Sequence, residues 1–183
     1  MSSRTIVLGI DPGSRITGYG LIEISGDTER VIHHGVIRID IADNHQLRLS
    51  RIYRELCAVI EEHLPDLCAV EMPVYGKNPQ SMLKLGRVQA AAMLAALNHG
   101  IPVVEYAPKE VKRAVTGNGN ATKDQVRFMV RSLLKMDEGA ELRLDASDAL
   151  AVGLCHAQRS RMPRVKSRGN WSQFVRENPG RVV

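Results

Sequence analysis

The stretch TIVLGIDPGSRITGYG, residues 5–20, contains the strongest fold signal in the chain. Its first six residues form an apolar run typical of a short buried strand, and Asp11–Gly13 is a turn tripeptide. Two further strands are predicted over 18–24 and 31–39, with turn residues at 25–27 between them. Strands joined by tight turns pair in antiparallel fashion. The opening of the chain therefore predicts a three-stranded antiparallel meander.

After the meander, helical and strand patterns alternate. Short apolar runs predict strands over 67–71 and 102–106. Apolar residues at three- and four-residue steps, or runs rich in alanine, predict helices over 49–64, 79–98, 122–134 and about 145–159, with Pro108 opening a shorter one. This order predicts an α/β fold in which helices flank one five-stranded mixed sheet.

Basic charge is concentrated at the C-terminus. Residues 157–183 hold seven basic residues and one acid, whereas residues 1–156 are nearly neutral. We therefore divide the chain into a domain over 1–158 and a basic tail over 159–183. A basic tail suits a polyanion such as nucleic acid, because each phosphate contact releases counterions. A solvated terminus without a binding role remains an alternative.

Composition excludes several classes of protein. The chain has 183 residues, 44% of them hydrophobic, and no apolar run approaches the ~20 residues that a bilayer crossing requires. The N-terminus does not resemble a signal peptide. The three cysteines, Cys57, Cys68 and Cys155, have neither disulfide-framework nor zinc-site spacing. We expect a cytoplasmic, membrane-free protein with reduced thiols.

Four acidic residues are placed where they could share a cation. Asp11 and Glu71 each end a predicted strand, at the sheet edge where ligands of α/β folds bind. Asp145 and Asp148 are three residues apart, so they share one face of the last predicted helix. Carboxylate oxygens are the ligands that Mg²⁺ or Mn²⁺ prefers, and a pair of such ions can hydrolyse a phosphodiester. Simpler roles stay open: a turn-initiating Asp11, a solvated Glu71, and helix capping by the aspartate pair.

These residues resemble the RuvC family of Holliday-junction resolvases, members of the ribonuclease H-like superfamily. The likeness rests on the glycine-rich opening GIDPGSRITGYG and on an aspartate pair before Ala-Leu-Ala, with shorter matches in the expected order between them. The matching segments are 9–20, 69–71, 77–78, 83–86, 111–112, 122–123 and 145–151.

The resemblance implies a ribonuclease H-like fold and an endodeoxyribonuclease that uses two Mg²⁺ or Mn²⁺ ions. The catalytic and metal-binding tetrad falls on Asp11, Glu71, Asp145 and Asp148. It further implies a homodimer that resolves four-way junctions by symmetric paired nicks in homologous recombination and DNA repair. A branch-migration motor of the RuvA–RuvB type is the implied partner.

The DNA contacts that the resemblance implies fall on Lys112 and Lys123, with Lys77 in a matching segment. The family places a junction-wedging aromatic three residues after the Glu71-type acid, but this chain has Val74 there and Tyr75 next. Tyr75 can take over stacking, typically worth ~1–3 kcal/mol per base, or be an ordinary loop residue. The sequence does not indicate which bases are preferred at the cut or which metal works best.

Two rivals deserve comparison. Asp11–Gly13 also resembles the phosphate-contacting turn of actin-like ATPases, but those need two lobes and this chain supplies one. A DNA-binding protein without catalysis would keep the fold and the basic tail. Such a binder has no use for four carboxylates aimed at a phosphate, because bare acids repel DNA. The acids therefore favour a nuclease.

Overall fold

A five-stranded mixed sheet of strand order β3-β2-β1-β4-β5 forms the centre of the protein. The computed structural model describes residues 4–39, 44–73, 78–137, 139–161 and residue 176. The strands are β1 (Arg4–Asp11), β2 (Ile16–Ser25), β3 (Thr28–Arg38), β4 (Leu67–Glu71) and β5 (Val103–Tyr106). β1, β2 and β3 pair antiparallel, whereas β4 pairs parallel with both β1 and β5. The predicted meander and mixed sheet are confirmed.

Helices cover both faces of this sheet. They are α1 (His45–His63), α2 (Pro79–Leu97), α3 (Pro108–Thr116), α4 (Lys123–Leu133) and α5 (Leu144–Arg161). The buried residues of α1 and α2 join one apolar core with one face of the sheet, and those of α3, α4 and α5 join a second core with the other face. The result is a three-layer α/β sandwich, as the alternation of patterns predicted.

Two glycines on the sheet, which have no side chain, allow α5 to lie unusually close to it. A Cβ added at Gly9 would be 2.1 Å from the carbonyl oxygen of Ala149, and one added at Gly18 would be 1.9 Å from that of Asp145. Both distances are below any real contact, so only glycine fits at these two positions. The glycines of the opening motif thus hold the first turns of α5 against β1 and β2.

The folded region extends slightly past residue 158. α5 continues to Arg161, and Arg159 pairs with Glu110 at 2.9 Å. Arg161 pairs with Glu29 at 2.5 Å and donates to the carbonyl of Gly26 in the β2–β3 turn. Residues 162–175 and 177–183 of the predicted tail lie outside the described residues. No helix in the described part of the chain is long and apolar enough to cross a membrane.

Candidate active site

The ends of two parallel strands bring Asp11 and Glu71 together. β1 and β4 run side by side with Ile10 opposite Val70, so the acids that follow emerge at the same edge. Side chains alternate between faces along a strand. Because Leu8 and Ile10 pack into the α1–α2 core, Asp11 faces the opposite layer, which α5 covers.

The first turns of α5 bring the aspartate pair to this edge. Asp148 joins Asp11 and Glu71 in one cleft of about 220 Å³. The other lining residues are Pro108, Val111, Lys112, Lys123, Val126 and Ala151. Asp145 does not line the cleft, but its charge acts on Asp11, Asp148 and Lys123 from one turn earlier on α5. Acids separated by up to 137 residues in sequence therefore surround one small volume.

A hydrogen bond joins the carboxyl groups of Glu71 and Asp11. Burial raises the pKa of Glu71 to about 9, and the charge of Asp11 and the hydrogen bond between the two carboxyl groups add to the effect. Burial also raises the pKa of Asp11 to about 6, with the charge of Asp148 adding to it and the bond from Glu71 opposing it. Glu71 is thus the protonated donor and Asp11 the acceptor. Asp11 does not act merely as a turn residue, and Glu71 is not a solvated strand end.

Lys123 neutralises the third acid of the cleft. Its Nζ lies 2.6 Å from Oδ2 of Asp148, whose side chain is only 14% exposed. Burial raises the pKa of Asp148, outweighing the hydrogen bond and charge of Lys123 and the charge of Lys112, which lower it. Burial acts to lower the pKa of Lys123, but the bond to Asp148 and the surrounding acids raise it. The ammonium group therefore stays charged inside the acidic cluster.

Helix capping does not explain the aspartate pair. α5 begins at Leu144, so Asp145 is a first-turn residue and not the N-cap. The helix dipole stabilises a negative charge in this turn, which is compatible with a second role for the side chain. Asp148 lies beyond the capping positions and is turned toward Lys123.

The predicted DNA-contacting residues divide into two groups. Lys112 and Lys123 both line the cleft, on α3 and at the start of α4. Tyr75 and Lys77, together with Val74, lie outside the described residues. Sequence reasoning missed the ion pair between Lys123 and Asp148, because 25 residues separate the partners and no local spacing signals it.

The cleft fits divalent metal ions by its donor chemistry. Among the residues that the structure describes, no three His, Cys, Asp or Glu side chains are already arranged as a ligand set. The contacts of the acids explain this, because Asp11 and Glu71 are hydrogen-bonded to each other and the ammonium group of Lys123 engages Asp148. Clustered carboxylates repel one another, and their oxygens are the ligands that hard divalent cations prefer. Loss of the proton and displacement of Lys123 would free three carboxylates for ions.

Comparison with known proteins places the chain in a family. The sequence profile described as "Crossover junction endodeoxyribonuclease RuvC" matches residues 7–156. This chain belongs to the RuvC family. The matched region includes all four acids and both cleft lysines. A protein of Salinibacter ruber named crossover junction endodeoxyribonuclease RuvC is 55% identical over 177 residues, covering 97% of this chain and 98% of its own.

Solved structures agree with the fold. A structure described as Thermus thermophilus RuvC in complex with Holliday junction substrate superposes with a TM-score of 0.79 at 33% identity. The match covers 86% of this chain and 96% of that one. The yeast mitochondrial Holliday junction resolvase shares the fold alone, with a TM-score of 0.60 at 14% identity over 83% of this chain and 78% of that one. The ribonuclease H-like expectation is confirmed.

Proposed function

We propose that this protein is a structure-selective endodeoxyribonuclease that resolves four-way DNA junctions during recombination and repair. The observation that carries the proposal is the cleft in which Asp11, Glu71 and Asp148 meet two lysines. Membership of the RuvC family supports the same substrate class. A DNA-binding role without cleavage would leave the convergence of acids unexplained, because carboxylates without a cation repel phosphate.

The four acids are the proposed ligands of two Mg²⁺ or Mn²⁺ ions. When bound, such ions supply a nucleophilic water and stabilise charge on a phosphodiester. Asp11 would be the central ligand, since Glu71 and both aspartates of α5 act on it. Lys112 and Lys123 flank the acids and would hold the phosphates next to the cut, as point charges that position a strand without reading its bases.

Cleavage of two labelled substrates tests the activity. The purified protein is incubated with a four-way junction and with linear duplex of the same arm sequence, each with Mg²⁺ or Mn²⁺. We expect paired nicks in opposed strands of the junction, with 5′-phosphate and 3′-hydroxyl ends. Degradation of both substrates would indicate a general nuclease, and no cleavage with either metal would refute the proposal.

We propose that the ammonium group of Lys123 compensates the negative charge of the acids when no metal ion is bound, and that a metal ion displaces it. Replacing it by methionine removes the positive charge 2.6 Å from Asp148 and leaves the acids less compensated. Mn²⁺ should then bind more tightly, by roughly 2- to 5-fold, since a partly exposed ion pair is worth up to about 1 kcal/mol. Isothermal titration with Mn²⁺ in the absence of DNA measures this, with Lys135→Met as the control. Unchanged or weaker Mn²⁺ binding by Lys123→Met would contradict the competition.

The proposed homodimer would use an exposed stripe on α2. Most of the alanines of α2 pack inside the protein, because Ala92, Ala95 and Ala96 are buried in the α1–α2 core. The opposite side of α2 exposes three leucines by 50% or more, with small residues between them. This α2 stripe consists of Leu83, Gly86, Ala90, Leu94 and Leu97. A self-complementary pair of such helices suits two symmetric cuts.

Leu94→Glu is expected to break the dimer, because it places a charge in the middle of the α2 stripe. Sedimentation velocity should show a dimer for the unchanged protein and a monomer for the variant. Leu47→Glu on α1 is the matched control, since Leu47 is 54% exposed and lies off the stripe. Dimers of Leu94→Glu, or only monomers of the unchanged protein with and without DNA, would refute this interface.

The basic tail is proposed to strengthen DNA binding without taking part in cleavage. Residues 162–183 hold five basic residues and one acid. Arg161 is anchored at the β2–β3 turn, about 20 Å along α5 from Asp148 at 1.5 Å per residue. A chain ending at Arg161 should therefore bind junctions more weakly. The slope of log K against log[salt] should decrease in magnitude by about 1 for each lost phosphate contact. Its cleavage rate at saturating DNA should not change.

Binding and cleavage at several salt concentrations separate these effects. Equal affinity and equal salt slope for the full and shortened chains would remove the tail's role.

A branch-migration motor of the RuvA–RuvB type, acting with this protein in the cytoplasm, is the proposed partner by family resemblance.

A further inference from the structure

A second basic cluster lies on the α1–α2 layer, away from the cleft lysines. His45 and Arg48 are three residues apart at the start of α1, and Lys84 and Arg87 have the same spacing on α2. Residues three apart share a helix face. We name these four residues the α1–α2 basic patch.

α1 and α2 pack over the same apolar core, so the two pairs of residues lie on neighbouring helices. Burial lowers the pKa of His45, and the charges of Arg87, Lys84 and Arg48 lower it further. Nε2 of His45 is buried and has no hydrogen-bond partner among the described residues. His45 is therefore the inner member of the patch, and the exposed Lys84 and Arg87 are its outer members.

The charge of the two outer members of the patch is not offset by acids on their own helix. Residues 78–98 contain two basic residues, Lys84 and Arg87, and no acid. Elsewhere, exposed arginines have acidic neighbours, as in the pairs of Arg127 with Asp124 and of Arg159 with Glu110. Within the described ranges, Lys84 and Arg87 form no ion pair. Neither helix has an acid in its first turn, so the helix dipoles add to the positive potential.

The patch lies at the same sheet edge as the cleft but on the opposite layer. β3 and β4 both run toward that edge, and α1 and α2 begin after them. Lys84 and Arg87 are five and eight residues into α2, about 8 and 12 Å along its axis. Lys112 and Lys123 approach the edge from the α3–α5 layer. One protomer thus presents positive charge on both sides of its acids.

We infer that the α1–α2 basic patch is a second phosphate-backbone site, which holds a DNA arm other than the one cut. The inference rests on the proposed junction substrate. A linear duplex presents one backbone path to the edge, whereas a junction presents diverging arms that reach both layers. Phosphate contacts of this kind fix orientation and carry no base information.

The test compares junction and duplex binding by Lys84→Glu/Arg87→Glu. Two lost phosphate contacts should weaken junction binding by roughly 10- to 100-fold near 0.1 M salt and lower the salt slope by about 2. Duplex affinity should change much less. Arg30→Glu/Arg54→Glu makes the same change of charge, with Arg30 at the far end of the sheet and Arg54 farther along α1, and should leave the junction preference intact.

The possible outcomes separate the patch from the proposed function. Lys84→Gln/Arg87→Gln should show the same loss in reduced form, and matching thermal melts exclude a folding defect as the cause. Junction affinity and salt slope equal to those of the control variant would overturn the inference and leave the patch for an acidic protein partner. Equal loss for junction and duplex would overturn it too. An unchanged protein that shows no preference for junctions would instead refute the proposed function.

Discussion

Asp11→Asn should bind four-way junctions like the unchanged protein and cut them at least about 10³-fold more slowly, the kinetic equivalent of some 4 kcal/mol. Asparagine keeps the shape of the side chain but lacks the negative charge. Asp11 is the acid on which the charges of Asp148 and Asp145 and the hydrogen bond of Glu71 all act, so its loss affects every proposed metal contact. Lys112 and Lys123 remain, and with them the affinity for phosphate.

Single-turnover cleavage and gel-shift binding of the same labelled junction measure the two effects separately. Asp124→Asn is the matched control, because Asp124 is 79% exposed and pairs only with Arg127 within the described structure. A rate for Asp11→Asn near that of the control would exclude Asp11 from the chemistry. A variant that loses binding together with cleavage would indicate a structural role for the Asp11–Glu71 pair.

The sequence predicted the sheet and its helices because their signals are local. Apolar runs, turn residues and helical periodicity each occupy a few neighbouring positions, and the strands formed where these signals placed them. The two strand-ending acids could be placed at one edge from strand direction alone. The likeness of GIDPGSRITGYG to a known motif then supplied the order of the remaining parts.

Contacts between distant segments could not be predicted in the same way. The bond from Lys123 to Asp148 depends on how α4 is set against α5, and nothing in either segment signals it. The α1–α2 basic patch was equally hidden, since the two pairs of basic residues become one cluster only when the helices pack. The start of α5 at Leu144 places Asp145 inside the helix, so the capping role that the sequence left open does not apply. The chemical types of the site residues could thus be predicted from the sequence, but which side chains contact each other could be known only from the fold.

Gly18→Ala is expected to disable the site from a position that carries no chemistry. The new Cβ would be 1.9 Å from the carbonyl oxygen and 2.4 Å from the carbonyl carbon of Asp145, so the first turn of α5 must move by more than 1 Å. Gly18 also pairs with Asp11 across the sheet, so the shift separates Asp145 and Asp148 from the strand-ending acids. Overpacking of this kind costs about 1–3 kcal/mol of stability or more. A displacement of about 1 Å can cost 10²-fold in rate.

Thermal unfolding and junction cleavage of Gly18→Ala test the two consequences together. Gly139→Ala is the control, because a Cβ there would meet nothing within 4 Å. If Gly18→Ala melts and cuts like that control, α5 has slack against the sheet and the glycines do not set the position of its aspartates. The expected loss of both properties would mean that the opening motif contributes twice to the site. It supplies Asp11 directly, and through its glycines it sets how closely the helix bearing Asp145 and Asp148 approaches that carboxylate.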